Sequence, residues 1–244
     1  MDIRQIVMVS ALRDPIVNDL CELFEFEVAF NDPGVSHFGL ENAVIPIGTD
    51  FLEIVSPVEA DTTAGRFLEK RNGDGGYMII IQVDDFAASK DLVEKKNIGV
   101  VWETDLPEAK AIHLHPKQMG GAILSLDWMN PKESWKWAGP DWTSHISGPI
   151  LGVDGVEIQS DNPEEMFMGW LEVLGNPKSD QKERTIYLDN TWLKFILDSD
   201  GRGAGVSAFS LKSKDHQAIS QRAETLGFMN GDTIELGGLK FYLV

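Results

Sequence analysis

Four times along the chain a short apolar run is followed by a segment with helical spacing, and then by two or three further apolar or alternating runs. The first unit opens with a strand over Ile3–Val9. Asp14 and Pro15 then read as N-cap and first residue of a helix reaching Phe26. Strands follow near Glu27–Phe30, Glu41–Ile47 and Phe51–Val55. The second unit has a strand over Tyr77–Val83, a helix capped by Asp84 or Asp85 and running through Lys95, and strands near Val100–Glu103, Lys110–His115 and Ala122–Asp127. The third has a strand over Gly155–Gln159 and a helix started by Asp161-Asn-Pro-Glu-Glu165 and ended at Gly175. Strands follow near Thr185–Leu188 and Trp192–Leu197. The fourth has a strand over Val206–Lys212, a helix from Asp215 to Leu226, and strands near Thr233–Leu236 and Lys240–Val244. The last two units read one strand short.

A unit of this kind cannot bury its sheet face alone. Two units pair into a curved sheet with a concave interior and helices outside, so the expected class is α+β, with tandem βαβββ modules in two domains. The expected boundaries are 1–129 for the first domain, 130–149 for a connection rich in Trp, Pro and Gly, and 150–244 for a second, shorter domain. Trp128, Trp135, Trp137 and Trp142 cluster around that connection. They read as glue between the domains in preference to lining a pocket mouth.

Composition narrows the function classes. The formal net charge of -18 argues against a nucleic-acid or anionic-membrane partner. Cys21 is the only cysteine, sits among apolar residues of a helix and reads as an inert buried thiol. No signal peptide and no membrane-length apolar stretch is evident, which makes the cytoplasm the expected location. Gly73-Asp-Gly-Gly76 leads into a strand without a following Lys-Ser or Lys-Thr, so it reads as a tight turn and not a phosphate loop.

Two stretches carry a family likeness. Phe67-Leu-Glu-Lys-Arg-Asn-Gly-Asp-Gly-Gly-Tyr-Met78 runs into an apolar strand, and His113-Leu-His115-Pro-Lys-Gln-Met-Gly-Gly-Ala-Ile-Leu-Ser-Leu-Asp127 follows some thirty residues on. Together they resemble the second half of a vicinal oxygen chelate domain, the superfamily of glyoxalases, bleomycin-resistance proteins and extradiol dioxygenases, and within it the methylmalonyl-CoA epimerase and glyoxalase I branch. The resemblance implies two glyoxalase-like domains, with metal ligands on inward strand positions. Carried over residue by residue, those positions are Gln5, Glu53, Met78 and Ser125. Met78 stands where the family has His, and Ser125 where it has Glu. Thioether and hydroxyl are poor ligands for the family's divalent metals, so no metal and no other cofactor is expected.

The resemblance also directs attention to chemistry. Glu53 is the candidate base, because an inward carboxyl without a metal tends toward a raised pKa. His115 is the candidate catalytic partner. Gln5, Tyr77, Met78, His113, Lys117, Ser125 and Asp127 are candidate substrate contacts. His113 and His115 are expected to share one face of a strand by period-two alternation, and His-Pro-Lys occurs at this place in the epimerase branch, near the cup rim. The expected function is a divergent, metal-independent small-molecule enzyme of lyase or isomerase type. The alternatives are a sequestering protein like those of bleomycin resistance, and a structural homodimer whose cup is filled by its own side chains. An inward Glu53–His115 pair beside a deep cavity marks the first, an open aromatic groove the second, and a solidly packed cup the third.

Overall fold

A computed structural model describes all 244 residues. The first module comprises β1 (Asp2–Val9), α1 (Arg13–Phe24), β2 (Leu40–Ile47) and β3 (Asp50–Pro57). After α2 (Thr63–Arg71), the second comprises β4 (Gly75–Gln82), α3 (Phe86–Lys95), β5 (Val100–Asp105), β6 (Ala109–Leu114) and β7 (Ile123–Met129). The third comprises β8 (Ile150–Ser160), α4 (Pro163–Val173), β9 (Ser179–Asp180), β10 (Thr185–Tyr187) and β11 (Trp192–Leu197). The fourth comprises β12 (Gly205–Ser213), α5 (His216–Leu226), β13 (Met229–Asn230), β14 (Thr233–Leu236) and β15 (Leu239–Leu243). No helix is long and apolar enough to cross a membrane.

The modules repeat one pairing rule. The first strand of each lies parallel to its own last strand, β1 with β3, β4 with β7, β8 with β11 and β12 with β15. First strands then pair antiparallel, β1 with β4 and β8 with β12, so modules join two by two. This is the tandem βαβββ organisation. The first pair is a curved sheet in the order β2-β3-β1-β4-β7-β6-β5. The second pair meets it at one bridge, Gly76 with Val206. That approach needs glycine, because a Cβ at Gly76 would stand 2.5 Å from Val206 Cβ.

Alternation along the strands sorts the apolar side chains onto two sides. Ile6 and Met8 of β1 join a large core with Phe24 of α1, Trp170 of α4 and Phe241 of β15. That core runs through both module pairs: Phe24 and Phe241 lie 5.5 Å apart, α1 packs on α5, and α3 packs on α4. Val7 and Val9 face the other way, into a smaller core with Phe51, Met78, Ile80 and Trp135. This second side is the concave face of the first module pair.

Several local expectations change. The segment read as a strand over Glu27–Phe30 contributes one bridge, Phe30 with Val44, before a 3-10 turn over Pro33–Phe38. The helix α1 begins at Arg13, not after Asp14. Pro15 is tolerated because the first-turn N–H groups have no intrahelical partner. The third and fourth modules are not a strand short. Their missing strands are β9 and β13, two residues each and too brief to alternate. The helix α2, capped by Thr62 Oγ1 accepting from Gly65 N at 2.9 Å, was not anticipated. Trp135 and Trp137 do not bridge the module pairs; the segment after β7 folds back and inserts them into the first cup.

Candidate functional site

The concave face of the first module pair encloses a cavity of about 550 Å³, so the cup is not filled by its own side chains. One side is built on β1, β2 and β3. Parallel pairing puts Glu53 beside Val7, and Gln5 lies one inward position before it. Gln5 Nε2 donates to Glu53 Oε2 at 2.7 Å, and Asn42 Nδ2 donates to Glu53 Oε1 at 2.6 Å. Both amides are fixed from behind. Trp135 Nε1 donates to Gln5 Oε1 at 2.6 Å, and the backbone N–H of Asp32 donates to Asn42 Oδ1 at 2.8 Å. With each amide oxygen thus occupied, only the NH₂ groups can face the carboxyl. Glu53 is 8% exposed. Burial pushes its carboxyl up to about 7, against the pull of the Asn42 and Gln5 hydrogen bonds.

A second carboxyl sits on the other side, on β7. Asp127 is 1% exposed. It accepts from the Ser125 hydroxyl, two residues earlier on the same strand face, and from Trp137 Nε1 at 2.7 Å. Burial pushes this carboxyl also up to about 7, and the Ser125 and Trp137 donors oppose the rise. The central strands β1 and β4 lie between the two acids, which therefore flank the cavity from opposite walls.

Tyr77 enters the cup through a bulge. Val7 pairs with Met78 while Met8 pairs with Gly76, so Tyr77 is the extra residue of β4 and its side chain is re-aimed into the cavity. Burial pushes its phenol up to about 12. His113 on β6 also lines the cavity, its ring centroid 4.4 Å from that of Trp102 and 6.2 Å from that of Phe38. Burial pushes this imidazole down to about 4.

Of the expected site residues, Gln5, Glu53, Tyr77, Met78, His113 and Asp127 line the cavity, and Ser125 lies directly under Asp127. His115 and Lys117 are not brought to it, and no Glu53–His115 pair exists. The strand β6 ends at Leu114, so alternation stops before His115. Its ring is held in the following turn, where Nδ1 accepts from Lys117 N at 3.2 Å. Asn42 and Trp137 were missed as contacts of the two acids, and Trp135 as the donor that fixes Gln5.

The residues do not fit a divalent cation. No group of three or more His, Cys, Asp or Glu side chains is arranged to hold a metal ion. At the ligand positions implied by the family likeness, both Glu53 oxygens accept amide N–H groups, Gln5 Oε1 accepts an indole N–H, and Met78 and Ser125 supply no anionic ligand.

No family model matches the chain. Human mitochondrial methylmalonyl-CoA epimerase is 30% identical over 92 residues, covering 36% of this chain and 52% of the relative. The mouse enzyme is 28% identical over 96 residues, with the same coverage. The chain thus spans about half the length of the curated relatives it matches. Among solved structures, a mutant 4-hydroxymandelate synthase from Streptomyces coelicolor superposes with a TM-score of 0.67 at 16% identity, covering 93% of this chain and 74% of that one. A methylmalonyl-CoA epimerase in complex with methylmalonyl-CoA and NH4+ gives 0.47 at 24% identity, over 55% of this chain and 98% of that one. At such identities structural likeness speaks for the fold alone.

Proposed function

We propose that this chain belongs to the vicinal oxygen chelate superfamily and is an isomerase- or lyase-type enzyme that moves a proton on a small carbonyl compound, a reading that its likeness to the epimerases and its fold support. One observation carries the reading: two buried carboxyls, both pushed to about 7, flank a single cavity from opposite walls. A carboxyl in that range is useful near neutral pH both as base and, once protonated, as acid.

Ionised Glu53 takes the proton from a carbon next to the substrate carbonyl. The C–H electron pair moves into the carbonyl system and gives an enolate, whose oxygen accepts a hydrogen bond from the neutral Tyr77 phenol. Protonated Asp127 then returns a proton to the opposite face of the carbon and inverts it. Alternatively, the enolate expels a leaving group from the adjacent carbon, which is the lyase outcome. Gln5 and Asn42 are positioning residues: their pinned amides fix the Glu53 carboxylate with its remaining lone pairs toward the cavity. No metal takes part in this scheme. The second module pair serves as support, since its sheet joins the first and shares its larger core.

The test is solvent exchange. A panel of ketones, esters and acyl thioesters with acidic α-protons is incubated with the protein in D₂O, and loss of the α-proton signal is followed by NMR. Exchange should appear for at least one class, and Glu53→Gln should slow it by roughly 10² to 10⁴, the usual worth of a positioned acid or base. Full exchange in the variant removes Glu53 from the mechanism. Ligand binding without exchange in either form identifies a sequestering protein instead.

A further inference from the structure

The walls of the cavity contain five acidic side chains, Asp32, Glu53, Glu59, Asp61 and Asp127, and no lysine or arginine. Its only basic groups are His37 and His113, and burial keeps the His113 ring in its neutral form. Arg66 of α2 turns to the start of that helix, where it donates to Asp61 O and to Thr63 Oγ1 at 3.1 Å. A carboxylate or phosphate entering here would lose its water and meet five acids without a lysine or arginine to pair with it, and an unpaired charge in such a place is strongly disfavoured. The whole chain, at -18, adds a field of the same sign.

Three of the acids stand at the mouth. Asp32 precedes the 3-10 turn Pro33–Phe38, and Glu59 and Asp61 precede α2. Phe38, Trp102 and Trp137 share the lining with them, and ring faces attract cations. An independent observation points to a bound molecule. The Tyr77 side chain is 7% exposed and faces the cavity, and no hydrogen bond engages its hydroxyl. The hydroxyl opens onto the cavity and has no acceptor within the chain, so its acceptor is whatever fills that space.

We propose that the cavity selects a small organic cation, an ammonium compound whose charge sits at Asp32, Glu59 and Asp61, whose body packs on Phe38, Trp102 and Trp137, and whose oxygen accepts from Tyr77. This rests on the proton-transfer reading only for what happens after binding. It separates the chain from the acyl-CoA esters that appear in the names of its relatives, because those substrates are polyanions.

The experiment titrates the full chain, by NMR at low ionic strength, with three probes of similar shape: choline, its uncharged tert-butyl isostere, and the sulfonate isethionate. Choline should bind about tenfold tighter than the uncharged isostere, the scale of one cation–π contact or ion pair. Isethionate should not bind. The combined variant Asp32→Asn, Glu59→Gln, Asp61→Asn should lower the choline preference, the rings keeping the rest, while leaving the isostere's affinity and the melting temperature unchanged; asparagine at 32 keeps the turn's cap. Tyr77→Phe should weaken choline and its isostere alike. Equal binding of all three probes, preference for isethionate, or a choline preference undiminished by the combined variant overturns the proposal. A choline preference without any α-proton exchange sinks the enzymatic reading alone. Exchange on anionic thioesters without a choline preference sinks this proposal alone.

Discussion

The most direct test of the site's physical chemistry is the pH dependence of stability in Glu53→Gln. Burial moves the Glu53 carboxyl from 4.5 to about 7. Each pKa unit is worth about 1.4 kcal/mol, so ionising this group in the folded chain costs about 3 kcal/mol relative to the unfolded one. Below pH 4.5 both states hold the proton and the cost is absent. As pH rises above that value the unfolded chain releases its proton while the folded chain keeps it, and stability falls. Above about 7 the folded carboxyl ionises too, and the cost stays constant. Glutamine cannot ionise, so the variant escapes this fall. It carries a different and pH-independent penalty: its NH₂ must oppose the NH₂ of Gln5 or Asn42, and neither can flip without breaking its bond to Trp135 Nε1 or Asp32 N. An unmet polar contact of this kind costs about 1–3 kcal/mol. Urea denaturation of both proteins from about pH 5 to pH 8 should show the variant less stable at the acid end and gaining roughly 2–3 kcal/mol on the parent by the alkaline end. Asp127 titrates in both proteins and cancels in the difference. Parallel stability curves would refute the reasoning, because they would mean that Glu53 ionises as easily folded as unfolded.

The same reasoning extends to the neighbouring groups. Asn42→Ala removes a donor that pulls the Glu53 carboxyl down, so its titration, followed through the side-chain carboxyl carbon in NMR, should move further upward; a downward move would contradict the assignment. Trp137→Phe keeps the ring in the cavity wall but deletes the N–H donated to Asp127. It should raise that carboxyl's pKa and lower stability at alkaline pH by about 1–3 kcal/mol, the price of a lost hydrogen bond to a charged group. Protein purified without chelators should carry no stoichiometric divalent metal by elemental analysis, and a transition metal bound one to one and lost in Glu53→Gln would restore a ligand role for Glu53.

Much of the architecture was legible because each module opens with an apolar strand and continues with a capped amphipathic helix, and these signals are local. Asn162 and Asp215 cap helices in the structure where the sequence places helix starts, their side chains accepting from Glu165 N and Ala218 N. Where the chain departs from expectation, the deciding interaction is not local. The strands β9 and β13 are two residues long and exist only because β10 and β14 offer them edges. His115 is one residue past the end of β6, and a period-two argument cannot see where a strand ends.

The site was half legible, and the missing half follows from a rule that could have been applied. The family likeness put Gln5, Glu53 and Asp127 on the inward face. Buried polar groups of this kind need partners, and the expected strands supply few of them. The segment that follows β7 carries Trp135 and Trp137, and a buried indole needs an acceptor as much as a buried carboxyl needs a donor. Matching those two demands sends the tryptophans into the cup, where Trp135 meets Gln5 and Trp137 meets Asp127. The glue reading considered only their apolar area, which the module junction satisfies equally well. Asn42 follows in the same way. Glu53 requires a second donor, and Asn42 lies on the neighbouring strand at a position diagonal to it, since Val44 pairs directly with Glu53. In this fold the inward polar residues are therefore best read as one hydrogen-bond ledger. Tyr77 and His113 are inward groups that the ledger leaves without a partner inside the chain, which is why the cavity is the place to look for a ligand.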